Sequence, residues 1–153
     1  MIATLPKPLS ELYESDETEW LETMARLVRQ GRGTELDYLH LAEFLTDMAR
    51  RDRREVESRM AVLIAHVLKW QFQPAKRSRS WLVTAEQQRQ ELLRLLTSGT
   101  LRNHAEAKLP DVYADGVRLA AVETGLSEAT FPAQCQLTLD ELTRELPLEG
   151  ISD

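Results

Sequence analysis

Apolar residues recur with the period of an α-helix through most of the chain, and no stretch alternates between apolar and polar residues as a strand would. This pattern predicts an all-α protein. Ser15 or Asp16 is placed to cap a first helix, with Glu19 at the capping-box position, and Gly31 and Gly33 are predicted to end it. The predicted apolar stripe of this helix is Trp20, Met24, Leu27 and Val28.

A second helix is predicted from near Asp37 to Arg51, and a third from Asp52 to about Phe72. Asp52 and Glu55 have capping-box spacing, so a short joint is expected where the third helix begins. The second helix is predicted to bury Leu41, Leu45 and Met48. The third is predicted to be the central element, with Val56, Met60, Leu63, Ile64 and Val67 on one side and Val62 and Leu68 widening the stripe.

Prolines and glycines mark the later boundaries. Pro74 is predicted to end the third helix, and Ser78 or Ser80 to cap a fourth. Pro110 is expected to kink or split a fifth helical region, because proline removes a backbone donor and clashes one turn back. Gly125 is predicted to be the left-handed C-cap of that region.

An irregular segment follows, in which Phe131, Pro132 and Cys135 are interpreted as an apolar clip over the bundle. Thr138 and Glu141 frame a last short helix. The sequence therefore predicts a single-domain helical bundle of about five main helices plus a short C-terminal helix. The predicted organisation is one domain over residues 1–153, with an N-terminal arm over 1–14 and a C-terminal clip and short helix over 126–153.

Length and composition narrow the class of protein. The chain of 153 residues is long enough to bury a core, and its one cysteine excludes an internal disulfide. It has no apolar run of the length that spans a membrane, and no basic-then-apolar N-terminus of the kind found in signal peptides. We therefore expect a cytoplasmic protein with no membrane partner.

The net charge of −6 conceals three blocks of different sign. Residues 1–49 carry 4 Lys and Arg against 10 Asp and Glu, residues 50–108 carry 13 against 6, and residues 109–153 carry 2 against 9. Such blocks can neutralise one another across helix contacts, and we prefer that interpretation to a basic partner-binding face.

Three stretches of the chain stand out together. They are Leu12-Tyr13-Glu14 with Asp16 and Trp20; His66-Val-Leu-Lys69-Trp70-Gln-Phe72-Gln-Pro74 with Arg77-Ser78-Arg79-Ser80-Trp81; and Glu123-Thr-Gly125-Leu with Phe131-Pro132 and Cys135. Together they resemble domain of unknown function family 29, over nearly the whole chain. The resemblance implies a compact, all-helical, single-domain bacterial protein with no established biochemical activity.

One position departs from that family. Its members often carry an asparagine and two adjacent glutamates in the second helix, where this chain reads Leu39-His40-Leu41-Ala42-Glu43-Phe44. The acidic pair is incomplete, which puts in doubt any function that needs both carboxylates. His40, in the asparagine position, can preserve a hydrogen bond but not the same geometry.

The best-defined candidate site is an anion site at the predicted start of the fourth helix. Free backbone N–H groups, two guanidinium groups and two hydroxyls would converge there on a group such as phosphate. The residues are Lys76, Arg77, Ser78, Arg79, Ser80 and Trp81, the last offering a stacking face. The preferred alternative is that the serines only cap the helix and the arginines pair with the acidic N-terminal segment, because capping serines are common.

Three aromatic residues among basic ones superficially resemble a stacking platform for single-stranded nucleic acid. They are Trp70, Phe72 and Trp81. Because they lie beside strongly apolar stripes, we interpret them as packing at the helix corner.

The histidines are interpreted as structural. His66 is expected to be packed and hydrogen-bonded, since a catalytic role would require a carboxylate such as Glu43 or Asp47 from an adjacent helix. Asp37, His40 and Glu43 share a helical face, but the second motif that a di-metal helix bundle requires is missing. No metal is expected.

Two further features are assigned no chemistry. Cys135 lacks the context of a catalytic thiol and is interpreted as a small buried packing group. The run Arg50-Arg51-Asp52-Arg53-Arg54 could contact phosphates, but its interspersed acids favour a solvated, paired cluster.

No catalytic or cofactor-binding signature is found, and no cofactor is expected. The sequence favours a non-enzymatic protein-interaction or regulatory module whose partner is another protein. One alternative is binding of nucleic acid or a phosphate-bearing ligand through the basic segment 50–94. A second is an enzyme that uses His66 with a carboxylate.

Overall fold

The computed structural model describes residues 7–145, which form six α-helices and no strand. The helices are α1 (Leu9–Ser15), α2 (Glu17–Arg29), α3 (Tyr38–Phe72), α4 (Arg79–Leu95), α5 (Gly99–Thr124) and α6 (Leu139–Leu142). Single 3-10 turns occur at Gly33–Glu35, Pro74–Lys76 and Glu128–Thr130. The predicted all-α fold class is confirmed. None of the described helices is both long and apolar enough to cross a membrane.

The chain divides into two compact units, Met1–Arg50 and Arg51–Asp153. The core of the first unit consists of Leu12, Trp20 and Met24, with Leu9, Tyr13, Leu21, Leu36, Leu41 and Phe44 packed against it. The core of the second unit is larger and draws on α3, α4, α5, α6 and the segment before α6. Each unit therefore has its own apolar centre.

The predicted N-terminal arm contains a helix, α1, that the sequence analysis did not anticipate. It ends at Asp16, whose carboxylate caps α2 by accepting a hydrogen bond from the backbone N–H of Glu19 at 3.1 Å. Of the two predicted caps, Ser15 and Asp16, it is Asp16 that caps the helix. The placement of Val28 in the buried stripe is wrong: its exposed fraction is 58%. Eight residues after Trp20, it lies about 80° around the helix from the stripe.

The predicted joint between a second and a third helix does not exist, because α3 runs unbroken from Tyr38 to Phe72. The residues around Asp52 include neither glycine nor proline, so nothing there stops the helix. The prediction that Leu45 is buried is also wrong, since its exposed fraction is 58%. Leu41 and Met48 are partly buried.

The second unit is built around the C-terminal half of α3, whose predicted stripe is buried apart from the partly exposed Val62. Gly116 of α5 lies against α3, and a Cβ atom there would fall only 2.5 Å from Cγ2 of Ile64. Pro110 does not split α5; its ring is exposed. Gly125, with a φ of 74°, is the predicted left-handed C-cap.

The segment after α5 packs as the clip was predicted to do. The side chain of Phe131 is buried in the core, and the Tyr113 hydroxyl donates a hydrogen bond to the Pro132 carbonyl at 2.6 Å. Thr138 and Glu141 form the predicted capping box at the start of α6.

Ion pairs join two of the charge blocks. Among residues 7–145, the basic middle of the chain contacts the acidic C-terminal part in three pairs: Lys69–Glu123, Arg89–Glu145 and Arg102–Asp140. The expected internal charge pairing is therefore seen between these two blocks.

Candidate functional site

The corner between α3 and α4 is positioned by a proline and a serine. Helix α3 ends at Phe72, two residues before Pro74, and Ser78 caps α4 by accepting a hydrogen bond from the backbone N–H of Trp81 at 3.4 Å. The hydroxyl of Ser80 lies 3.0 Å from that of Ser78. Of the two predicted caps, Ser78 and Ser80, it is Ser78 that caps α4.

Arg77 turns back from this corner towards the end of α3. Its Nε donates a hydrogen bond to the Trp70 carbonyl at 2.8 Å, and its guanidinium group lies 5.0 Å from the centre of the Trp70 ring. It thus satisfies one of the last carbonyls of α3 and stacks on the tryptophan of the same turn. The anion site remains a prediction.

Lys69 lies nearby and is buried, with an exposed fraction of 7%. Its ammonium group lies 2.8 Å from a carboxylate oxygen of Glu123 on α5 and 4.5 Å from the centre of the Trp81 ring on α4. One cation therefore ties three helices together. Because the ammonium covers one face of Trp81, that face is not open for stacking with a base.

His66 and Trp70 complete this group, which we call the corner cluster: His66, Lys69, Trp70, Arg77, Trp81 and Glu123. The His66 Nδ1 atom lies 2.9 Å from the Val62 carbonyl, which assigns it the proton. Burial lowers the pKa of His66 below its ordinary value of 6.5; the Lys69 ammonium adds to the lowering, and Val62 and Glu123 oppose it. A packed, hydrogen-bonded histidine was predicted, and this is confirmed.

The aromatic residues pack as the preferred interpretation expected. Trp70 has an exposed fraction of 2%, and its indole N–H has no hydrogen-bond partner among residues 7–145. Phe72 lies edge-on to Phe131, with ring centres 5.3 Å apart. The expectation that Glu43 or Asp47 could approach His66 from an adjacent helix is wrong, because all three residues belong to α3.

A second network, the Asp37 network, lies in the first unit and consists of Tyr13, Trp20, Asp37 and His40. The Asp37 carboxylate accepts a hydrogen bond from the Trp20 indole at 3.2 Å and lies 2.7 Å from His40 Nδ1. The His40 ring stacks on Tyr13, with centres 4.4 Å apart and planes at 22°. Burial raises the pKa of Asp37, but the bonds from His40 and Trp20 outweigh it and hold that pKa below its usual range.

The family model for Domain of unknown function DUF29 matches residues 12–146, most of the chain. The chain belongs to the DUF29 family. No curated protein and no solved structure matches it.

The three stretches that resemble DUF29 contribute residues to the Asp37 network and to the corner cluster. The first stretch supplies Tyr13 and Trp20 to the Asp37 network. The second and third supply the corner cluster, where Glu123 from the third pairs with Lys69 from the second. The sequence analysis singled out most of these residues but did not predict that Lys69 pairs with Glu123 or that Tyr13 stacks on His40. The one sign in the sequence was that Glu123 and Tyr13 belong to those stretches.

The His40 position, where DUF29 members often carry asparagine, therefore holds a hydrogen bond to Asp37 in this chain. Glu43, the one glutamate in the stretch where the acidic pair is incomplete, is exposed. No group of three His, Cys, Asp or Glu side chains within residues 7–145 is arranged to hold a metal ion.

Cys135 lies at an open cleft of about 700 Å³ between α5 and the clip. Its side chain is partly exposed, and its thiol donates to the Leu137 carbonyl at 3.3 Å. Cys135 packs against the core of the second unit, as predicted, but it is partly exposed and not buried.

Proposed function

We propose that this DUF29 protein is a non-enzymatic protein-interaction module and that it binds its partner through the first half of α3. The observation that carries this proposal is the exposure of large apolar side chains there. Tyr38, Leu39 and Leu45 have exposed fractions of 61%, 78% and 58%. Exposed apolar side chains that cluster on one element are typical of interaction sites, whereas scattered ones are ordinary.

Tyr38 and Leu45, with the exposed Ala42 and Ala49, form a stripe along the helix, which we call the exposed α3 face. Their spacing of four, three and four residues places them on one side of α3. Leu39 is also exposed but lies about 100° around the helix from Tyr38. The two alanines leave room for a neighbouring helix to approach closely. Tyr38 is held in place by a hydrogen bond from its hydroxyl to the Gly33 carbonyl at 2.7 Å.

Charge indicates the kind of partner. The unit that carries this face, Met1–Arg50, has 5 Lys and Arg against 10 Asp and Glu. Burial raises the pKa of the Tyr13 hydroxyl, and the carboxylates of Glu43 and Asp47, which are exposed on the side of α3 away from this face, raise it further. A negative surface with apolar contacts complements a basic amphipathic helix of another protein.

A second copy of this chain is a poorer occupant. An isologous dimer through the exposed α3 face would bring together two units that each carry 5 Lys and Arg against 10 Asp and Glu, and like charges oppose such contacts. In this proposal the protein works in the cytoplasm, where Cys135 stays reduced.

The test uses the full-length chain as bait, with the captured protein identified by mass spectrometry and its affinity then measured. We expect Leu45→Asp to weaken binding at least roughly tenfold, because it places a charge at the centre of an apolar contact. Val122→Asp is the matched control, since Val122 is 78% exposed on α5 in the other unit. It should bind as the wild type does.

Glu43→Lys, together with a salt titration, tests the charge argument. Weaker binding for this variant and at higher salt would support a basic partner. Unchanged binding for Leu45→Asp would refute the proposed surface, whereas a homodimer that Leu45→Asp dissociates would identify a second copy as the occupant.

A further inference from the structure

A basic groove of about 460 Å³ lies between α3 and α4 in the second unit. From α3 it is lined by Arg51, Arg54, Glu55, Ser58, Arg59 and Val62, and from α4 by Gln88. Each of these α3 residues lies three or four positions from another member of the set, so together they form one continuous side of the helix. Because α3 has no joint at Asp52, this side extends from Arg51 onwards without interruption.

One of the three arginines is already fixed within the groove. Arg59 lies 2.9 Å from the Glu55 carboxylate and donates to the Gln88 side-chain oxygen at 3.3 Å. This pair neutralises Glu55, the only carboxylate that lines the groove among the described residues. What remains is a surplus of two positive charges on Arg51 and Arg54.

Arg51 and Arg54 are exposed and have no hydrogen bond or ion pair with any residue in the range 7–145. This distinguishes them from Arg94 and Arg118 of the same unit, whose guanidinium groups lie 3.1 and 3.2 Å from Glu91 and Asp115. The expectation that the 50–54 run is internally paired therefore does not hold for these two residues.

We propose that this groove binds phosphate groups, with Arg51 and Arg54 as the principal ligands. The two residues are one helical turn apart, with Cβ atoms about 5–6 Å apart, so their guanidinium forks can hold one phosphate or two neighbouring ones. The Ser58 hydroxyl, one turn further along, can donate to another phosphate oxygen. This proposal is independent of the exposed α3 face.

The residues that line the groove also indicate which part of a ligand they would contact. No aromatic ring lines the groove among the described residues, and Val62 is its apolar contact. Contacts therefore go to phosphate oxygens and not to bases, and binding should be insensitive to base sequence. Such phosphates belong either to a nucleic-acid strand or to a free polyphosphate, which share this chemistry.

The experiment titrates the full chain with inorganic tripolyphosphate, fluorescent single-stranded oligonucleotides of increasing length, and a polyglutamate peptide. If two phosphates of a single strand are bound, affinity should fall about sevenfold between 50 and 200 mM salt. Affinity that rises with oligonucleotide length would identify a nucleic acid as the source, and equal affinity for tripolyphosphate would identify a free polyphosphate.

The variant Arg51→Gln/Arg54→Gln should lose roughly tenfold in affinity. The control Arg94→Gln/Arg118→Gln removes the same charge from exposed positions outside the groove and should keep wild-type affinity. An equal loss in both variants, tight binding of polyglutamate, or no binding of any phosphate probe at 50 mM salt would overturn the proposal. Thermal unfolding of both variants checks that the fold is intact.

Discussion

At Gly116 the backbone of α5 lies directly against α3, with no side chain between them. A Cβ atom added there would lie 2.5 Å from Ile64 Cγ2 and 3.2 Å from the Ala61 carbonyl oxygen. Neither the branched side chain nor the backbone oxygen can move away cheaply inside a packed core. We therefore expect Gly116→Ala to destabilise the protein by about 1–2 kcal/mol in urea unfolding, even though alanine favours a helix.

Gly99→Ala provides the control. Gly99 is also helical, at the start of α5, but no atom lies within 4 Å of the position of an added Cβ. The same substitution should there be neutral or stabilise by up to about 1 kcal/mol, because it restricts the unfolded chain. Equal stability of the two variants would show that the α3–α5 contact is not close-packed.

The Lys69–Glu123 pair shows what the sequence could and could not reveal about single residues. Helical periodicity placed Lys69 near a turn rich in aromatic residues, and the capping residues Asp16, Ser78 and Gly125 followed from local rules. Local rules have no information about a partner 54 residues away, so the pairing with Glu123 depends on how α3 and α5 pack. The same is true of the Asp37 network.

At the scale of elements, the continuity of α3 is the main correction to the sequence analysis. It can be tested with Arg53→Pro. If Asp52 capped a new helix, residue 53 would be its first position, where proline is favoured. Within a continuous helix the same proline removes a hydrogen bond and clashes with the preceding turn, so we expect a loss of about 3 kcal/mol or more in unfolding free energy.

Two companion variants make this measurement interpretable. Arg53→Ala removes the side chain alone and should cost little. Gly99→Pro places proline at the first position of α5, after the extended Ser98, and should be tolerated. Tolerance of Arg53→Pro would mean that α3 is broken near residue 52 after all.

The reason for this error is physical. A capping box is a favourable pair of hydrogen bonds at a helix start, but Asp and Glu at that spacing are also compatible with a helix interior. Without a glycine or proline nearby, the strong helix formers around them decide the outcome. Helix α1 was missed for the opposite reason, since its seven residues are too few for periodicity to stand out, although Leu9, Leu12 and Tyr13 share a face.

At the scale of the whole molecule, the two separate cores predict unequal stability. Among the described residues, the core cluster of the first unit has three buried members and that of the second has eighteen. Burial of apolar surface is the main favourable term in folding, so the first unit should open more readily. In hydrogen exchange we expect the amides of Trp20–Leu27 to be protected at least roughly tenfold less than those of Met60–Leu68.

Equal protection of the two segments, lost together at one urea concentration, would contradict this expectation. It would mean that the units unfold as one cooperative body, which is what the prediction of a single domain over residues 1–153 requires. The all-α class needed only the period of the apolar residues. The division into units depends on which helix faces meet, and periodicity does not encode that.

The packing of the clip has a consequence for protein synthesis. Phe131, Leu139 and Leu142 belong to the core of the second unit, yet they follow every long helix of that unit in chain order. A ribosome therefore releases α3, α4 and α5 before the residues that close their core exist. Until residue 142 emerges, these helices expose apolar faces, and a nascent chain stalled at that stage should be a preferred client of chaperones.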